Sequence, residues 1–309
     1  MATVLVTGGA GFIGSHLVEA LLSRGEQVRV LDNLSTGKLE NLAGVLDRIE
    51  FIEGTLVDAA AVRQAAAGVE VVYHLAAIAS VPQSMAEPVQ TELVNTLGTL
   101  NVLQAAQLTD ARRVVLSSTC AVYGDEPTLP KTEAMLPQPK SPYAVSKLAA
   151  EHYCRVYFEA FGLETVVLRY FNVFGPRQDP KSAYSGVISI FTDKLAAGIA
   201  PTIFGDGQQT RDFVFVQDIV QANILAGNTP QAAGETFNIG TGRPVTVQHL
   251  FETLRRIFAC EVTPLYAPNR SGDVLHSYAD SSQAVQRLGW QAQVTLEAGL
   301  RELVESYGL

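Results

Sequence analysis

Thr7-Gly8-Gly9-Ala10-Gly11-Phe12-Ile13-Gly14 follows a β-branched run, Thr3 to Thr7, and opens an apolar-periodic segment, Phe12 to Ser23. A glycine-rich turn between strand and helix exposes backbone N–H groups at the positive end of the helix dipole, where a pyrophosphate is favoured. A side chain at Gly8 or Gly11 would obstruct that approach. Glycines in this register could merely make a tight turn. The next run, Gln27 to Leu31, however leads into Asp32, whose carboxylate can accept hydrogen bonds from ribose hydroxyls and would repel a 2′-phosphate. Together these features predict a dinucleotide site that takes NAD rather than NADP.

Outward from this turn, Ile49 to Glu53, Glu70 to Leu75, Arg113 to Ser118 and Thr165 to Arg169 read as further strands. Between them Ala59 to Ala67, Val89 to Gln107 and Pro142 to Phe161 read as helices with one apolar stripe. The alternation predicts an α/β fold, a doubly wound parallel Rossmann sheet, with a smaller mixed α/β substrate-binding lobe after it. The rhythm changes after Asn172, with short strands at Thr202 to Phe204 and Phe213 to Val216 and helices at Val247 to Phe258 and Leu296 to Tyr307. Residues 1–171 are therefore expected to form the NAD-binding domain. Residues 172–309 are expected to be mainly a second, substrate-binding lobe, interleaved with the first.

The 309 residues are 47% hydrophobic, enough to bury a full core, and a net charge of −9 disfavours a nucleic-acid partner, which needs a basic face. Cys120, Cys154 and Cys260 lie far apart without CxxC spacing, so reduced thiols are expected. The five histidines show no metal-ligand spacing, and His74 reads as a packed strand-end residue; no metal is expected. The chain enters a strand at once, without a basic leader before an apolar run, and no stretch is long enough to span a bilayer. A cytoplasmic protein with no membrane association is expected.

Ser141-Pro142-Tyr143-Ala144-Val145-Ser146-Lys147 reads as a helix start, with Tyr143 and Lys147 four apart on one face. A phenol with a pKa of about 10 becomes a proton acceptor near neutrality only if its phenolate gains ~4 kcal/mol of selective stabilisation. A nearby ammonium and a cationic nicotinamide could supply it. YxxxK alone is short and common, and the upstream glycine turn is what gives it meaning. Ser117-Ser118-Thr119 ends the fifth strand at the carboxyl edge of the sheet, where open α/β sheets bind ligands; a turn hydroxyl is the plain alternative.

Together with LDNLSTG around Asp32, HLAA at 74–77, SSTCAVYG at 117–124, RYFNVFGPRQ at 169–178 and TRDFVFVQD at 210–218, these motifs resemble the extended short-chain dehydrogenase/reductases. Within them the chain looks most like the UDP-hexose 4-epimerases, and in SVPQS at 80–84 and FNVFGPRQDP at 171–180 like the UDP-N-acetylglucosamine 4-epimerase subgroup. The resemblance implies Thr119, Tyr143 and Lys147 as the catalytic residues. It implies cofactor contacts at Gly8, Gly11, Phe12, Ile13, Gly14, Asp32, Asn33, Ser35, Thr36, Gly37, Thr55, Leu56, Leu75, Ala76, Ala77, Asn95, Tyr170, Phe171 and Val173, besides Tyr143 and Lys147. Substrate contacts are implied at Ala79, Ser80, Asn172, Val187, Thr202, Phe204, Arg211, Arg270, Asp273 and Ser277, besides Thr119 and Tyr143. The helices at 89–107 and 142–161 resemble those that pair as a four-helix homodimer interface.

Two departures narrow the expectation. Related dehydratases and decarboxylases carry acidic groups just after the Thr, whereas Cys120 and Ala121 stand here, so elimination or decarboxylation is not expected. Many relatives have an Asp at position 55 for the adenine amino group, where this chain has Thr55. The resemblance places Ser277 at the sugar-pocket gate, where a small residue leaves room for a 2-N-acetyl group. The expected reaction is C4 epimerisation of UDP-N-acetylglucosamine/UDP-N-acetylgalactosamine, with UDP-glucose/UDP-galactose also possible. The competing readings are an epimerase for UDP-glucuronate or another nucleotide sugar, a net NAD-dependent oxidoreductase, and a non-catalytic binding module.

Overall fold

The structure is a computed structural model and describes residues 3–179, 186–268 and 274–308. Six strands, β1 (Thr3–Thr7), β2 (Gln27–Asp32), β3 (Ile49–Glu53), β4 (Val71–His74), β5 (Arg113–Thr119) and β6 (Glu164–Tyr170), enter one parallel sheet. Its order is β3-β2-β1-β4-β5-β6, extended beyond β6 by Thr236–Ile239. β4 is buried at every residue and β5 at all but Thr119, because helices cover both faces of the sheet. Order reverses between β1 and β4, and a ligand of such a sheet binds outside the carboxyl ends of the strands at that reversal.

The predicted strands and helices of the first half are present, with one instructive change. The segment expected as a single helix over Val89 to Gln107 is Pro88–Glu92, a π-turn Leu93–Leu97, and Gly98–Leu108. A π-turn widens the helix by one residue and redirects its side chains, a device frequent at functional sites. Asn95 lies within it.

The helix Pro142–Phe161 is fixed at both ends by its sequence. Ser141 caps it by accepting from Ala144 N at 3.2 Å, Pro142 supplies the preset φ of the first turn, and Gly162 closes it in the left-handed conformation. Ala144, Ser146, Lys147, Ala150, Glu151, Cys154 and Tyr157 are its buried positions, so a face that packs on the sheet also carries charged groups.

Thr236–Ile239 was not foreseen as a strand. It pairs in parallel with β6, so residues after Asn172 return to complete the large sheet. A second apolar cluster gathers Phe174, Phe191, Phe213, Phe215, Leu250, Phe251 and Leu300. Phe12, Ile13 and Val173 pack against its edge, placing the start of the first helix beside the second lobe.

Candidate active site

The glycine turn lies at the reversal point. Gly8 has φ +71°, and a Cβ there would stand 2.7 Å from Ala76 N, so the loops after β1 and β4 touch backbone to backbone. A Cβ on Gly14 would fall 2.1 Å from Gly8 O. Gly11 caps the helix Phe12–Ser23 without any side-chain hydrogen bond, and the first helical bond runs from Ser15 N to Gly11 O at 3.0 Å. The amides of Phe12, Ile13 and Gly14 precede that bond and form an uncapped helix N-terminus suited to a pyrophosphate.

Asp32, 7% exposed, accepts from Ala10 N at 2.9 Å with Oδ2 and from Leu34 N at 2.8 Å with Oδ1. Its carboxylate thus ties the glycine turn to the loop Asn33, Ser35, Thr36 and Gly37, with lone pairs to spare for a diol. Ser35 N donates to Asn33 Oδ1, and Lys38 N and Asn41 Nδ2 both donate to Ala10 O, folding this loop against the turn. Uncapped helix, crowded glycines and strand-end carboxylate together fit a dinucleotide. Thr55 and Leu56 follow β3; Thr55 Oγ1 accepts from Val57 N at 3.4 Å, a local turn. Asp58 nearby is committed as the cap of Ala59–Ala66, accepting from Ala60 N and Ala61 N.

Leu75, Ala76 and Ala77 continue from β4, where His74 organises the edge. Thr99 Oγ1 donates to Asn95 O at 2.5 Å and so accepts from His74 Nε2 at 3.0 Å. His74 Nδ1 then accepts from Thr7 Oγ1 at 2.8 Å, leaving that hydroxyl to accept from Ala76 N at 3.2 Å. A single neutral tautomer satisfies every partner, and burial pushes the imidazole pKa down to about 3. His74 is therefore the packed strand-end residue expected, and no described group of three or more His, Cys, Asp or Glu could hold a metal ion.

Several implied cofactor residues turn their side chains elsewhere. Asn95, 2% exposed, accepts from Ile78 N at 2.8 Å and commits both amide hydrogens, to Ile78 O and Ser146 Oγ, each at 3.0 Å. It clamps the loop after β4 to the helix of Tyr143 and so positions the site from behind. The Tyr170 hydroxyl donates to Asn223 Oδ1 at 2.9 Å, and Tyr170 and Phe171 lie in the core, leaving their backbone as what they can present. Sequence position could not give the side-chain directions of these three: Asn95 lies in the π-turn Leu93–Leu97, and Tyr170 and Phe171 at the end of β6.

Three consecutive residues of β5 engage one face of the helix Pro142–Phe161. Ser117 O accepts from Lys147 Nζ at 2.8 Å, Ser118 Oγ donates to Glu151 Oε1, and the Thr119 side chain hydrogen-bonds the Tyr143 phenol. Burial pushes the Tyr143 phenol up to about 12, and the Thr119 bond opposes that shift. Burial lowers Lys147 itself to about 8, with Glu151 working against the shift. Cys120 beside them is a neutral thiol, pushed up to about 11 by burial, and its side chain meets Ser277.

On the second lobe, Ser277 N donates to Thr210 O at 3.2 Å, and Arg211 Nη1 donates to the carbonyls of Thr210 at 2.9 Å and Leu275 at 3.3 Å. Asp212, fully buried, joins these segments: it accepts from Thr241 N and Oγ1, Gly242 N and Ala279 N, and its backbone carbonyl accepts from Asn172 N. Ser80 caps the short helix Val81–Ala86 through Gln83 N, directly after Ala79. Val187 opens the helix Val187–Ala196, and Thr202 and Phe204 end a strand paired with Leu265–Ala267. Arg270 and Asp273 lie outside the described residues. Sequence reasoning assigned no role to Asp212, Glu151 or Arg169; the i+8 spacing of Glu151 from Tyr143 was the one available signal for the second of these.

Residues 4–240 match the NAD dependent epimerase/dehydratase family. The chain belongs to that family, and NAD is its cofactor. It is 42% identical over 307 residues to a UDP-glucose 4-epimerase of Mycolicibacterium smegmatis, covering 98% of this chain and 97% of the relative. Among solved structures it is similar to the UDP-glucose 4-epimerase of Thermotoga maritima with UDP-glucose, at TM-score 0.94 and 42% identity, covering 99% and 98% of the two chains. The UDP-N-acetylglucosamine 4-epimerase of Methanobrevibacter ruminantium in complex with UDP-N-acetylmuramic acid superposes at TM-score 0.95 and 39% identity, with the same coverage. No described helix is long and apolar enough to cross a membrane.

Proposed function

We propose that this protein is an NAD-dependent UDP-hexose 4-epimerase whose pocket admits N-acetylated sugars, interconverting UDP-N-acetylglucosamine and UDP-N-acetylgalactosamine. The observation that carries the reading is Tyr143, hydrogen-bonded to Thr119 at the carboxyl end of β5, with a neutral thiol at Cys120 where an acid would be needed for elimination.

In this reading Gly8, Gly11, the amides of Phe12 to Gly14 and Asp32 hold the dinucleotide, and bound NAD supplies a reversible hydride acceptor at C4 of the sugar. Tyr143 Oη takes the O4 proton and later returns it to the 4-keto sugar. Thr119 holds the same oxygen from the strand side. Lys147, anchored on Ser117 O, presents its remaining hydrogens to the nicotinamide ribose and its charge to the forming phenolate. Arg211 and Asn172, with Arg270 and Asp273, keep hold of the UDP while the hexose turns, so that hydride and proton return to the opposite face.

Ser277 supports the N-acetyl preference: it is small and lies against Cys120, next to the catalytic Thr119. The UDP-glucose/UDP-galactose pair is the second reading, supported by 42% identity to the Thermotoga enzyme solved with UDP-glucose. Val89, Leu93, Leu97, Val145 and Tyr153, on the helices expected to pair, line an open apolar groove of about 830 Å³, which supports a homodimer built on four helices.

The deciding experiment incubates purified protein with UDP-N-acetylglucosamine and UDP-glucose separately and identifies the products by NMR. C4 inversion of the N-acetylated sugar is expected. Inversion of UDP-glucose alone would overturn the N-acetyl reading, and inversion of neither would overturn the epimerase reading.

A further inference from the structure

Glu151 is a carboxylate 6% exposed in the middle of the helix Pro142–Phe161, one turn beyond Lys147 and two beyond Tyr143. Arg169 of β6 grips it with Nε at 3.0 Å from Oε1 and Nη2 at 2.6 Å from Oε2, and Ser118 donates to Oε1. The guanidinium continues through Nη1 to Tyr123 OH at 2.9 Å, which donates to Asn238 Oδ1 at 2.6 Å on the last strand of the sheet. Helix, β5, β6 and the edge strand are thus linked by one buried polar chain that ends beside the reactive pair.

From this geometry we infer that Glu151 is a positioning residue for the reaction, holding Lys147 in its charged form and the helix face of Tyr143 and Lys147 against Ser117–Thr119. A buried ion pair is a poor device for stability alone, because its desolvation cost rivals its attraction and apolar residues of similar volume serve as well or better. The same helix uses Ala150 and Cys154 for ordinary packing. The titratable groups acting on or facing Lys147 are Glu151 and Cys154 on its own helix and His74 at the end of β4. His74 is held neutral, and burial pushes the Cys154 thiol up, so Glu151 supplies the negative charge. Arg169, on β6, fixes that carboxylate through two nitrogens and so prevents it from swinging away from its place.

The inference rests on the epimerase reading for its consequence in catalysis, but its first test does not involve the sugar. Purified protein labelled with ¹³Cε-lysine is titrated by NMR, the Lys147 signal being assigned by its loss in Lys147→Arg. Glu151→Gln keeps an oxygen for Ser118 and Arg169 and removes the charge. Its Lys147 midpoint should fall by about one pH unit or more, and the alkaline limb of kcat should move down with it. Ser118→Ala, which removes the strand bond and keeps the charge, should leave the Lys147 midpoint in place. Should Glu151→Gln fail to fold, the paired replacement Glu151→Met with Arg169→Leu removes both charges in a form expected to pack; a smaller fall in the same direction is expected, because the guanidinium that opposes the ammonium goes with the carboxylate. An unshifted Lys147 midpoint in the folded variant, whatever happens to Tm, would overturn the assignment. A wild-type protein that inverts no UDP-sugar would defeat the substrate reading and leave this titration result standing.

Discussion

The ammonium of Lys147 donates to the carbonyl of Ser117 at 2.8 Å, two residues before the Thr119 that hydrogen-bonds Tyr143. Helix and strand therefore meet as a fixed unit, with the phenol held by the strand and the ammonium tethered to it. Burial alone leaves the phenol protonated at neutral pH, so its use as a base depends on positive charge brought close to it when cofactor is bound.

Tyr143→Phe keeps the ring and loses the proton carrier. The variant should fold, with stability within about 1 kcal/mol of the parent, while kcat drops by about 10²–10⁴. Thermal melts and steady-state rates check both halves. A variant within tenfold of the parent rate would remove Tyr143 from the proton transfer.

Ser277→Tyr places a bulky ring against Cys120, at the position proposed as the pocket gate. Turnover of UDP-N-acetylglucosamine should fall at least tenfold relative to UDP-glucose, measured as the ratio of kcat/KM for the two substrates, since lost room for a substituent is worth about 1–3 kcal/mol. Equal loss on both sugars would refute the gate.

Gly14→Ala drives a methyl to 2.1 Å from Gly8 O and 2.8 Å from Gly9 Cα, backbone atoms that cannot step aside cheaply. NAD affinity should fall at least tenfold by calorimetry, with about 1–3 kcal/mol of stability lost. Gly44→Ala, which meets nothing within 4 Å, is the control and should bind NAD as the parent does.

His74 couples stability to acid. Its folded-state pKa is about 3 against an ordinary 6.5, so the contribution is present above pH 6.5 and is lost as pH falls towards 3, because the unfolded chain takes up a proton that the folded one refuses. The slope is at most about 1.4 kcal/mol per pH unit from this group. Urea midpoints at pH 7 and pH 5 should therefore converge more in His74→Gln than in the parent. Parallel pH dependences would show that His74 titrates normally in the folded state.

Val89, 71% exposed on the apolar groove, is the position at which to test self-association. Val89→Glu should convert a dimer to a monomer by light scattering, since a charge would be buried without a partner. A monomeric parent protein would remove the four-helix proposal.

The alternation of strands and helices, the glycine turn, the carboxylate at the end of β2 and the i, i+4 placement of Tyr143 and Lys147 are legible along the chain, because each is a local pattern whose period or spacing carries its own geometry. Ser141 and Pro142 likewise mark the start of the reactive helix, where cap and first turn are set by adjacent residues. Where the polar groups point depends on contacts between segments distant in the chain. Asn95 turns back to Ile78 and Ser146 through a π-turn, Lys147 reaches Ser117, and Glu151 meets Arg169, 18 residues along the chain, on the neighbouring strand β6. Thr236–Ile239 joins the sheet because β6 offers it an unpaired edge, a condition that no window of residues 236–239 contains. These directions follow from which partners are within reach once the sheet has closed on its helices, and in a buried site every donor and acceptor must find one.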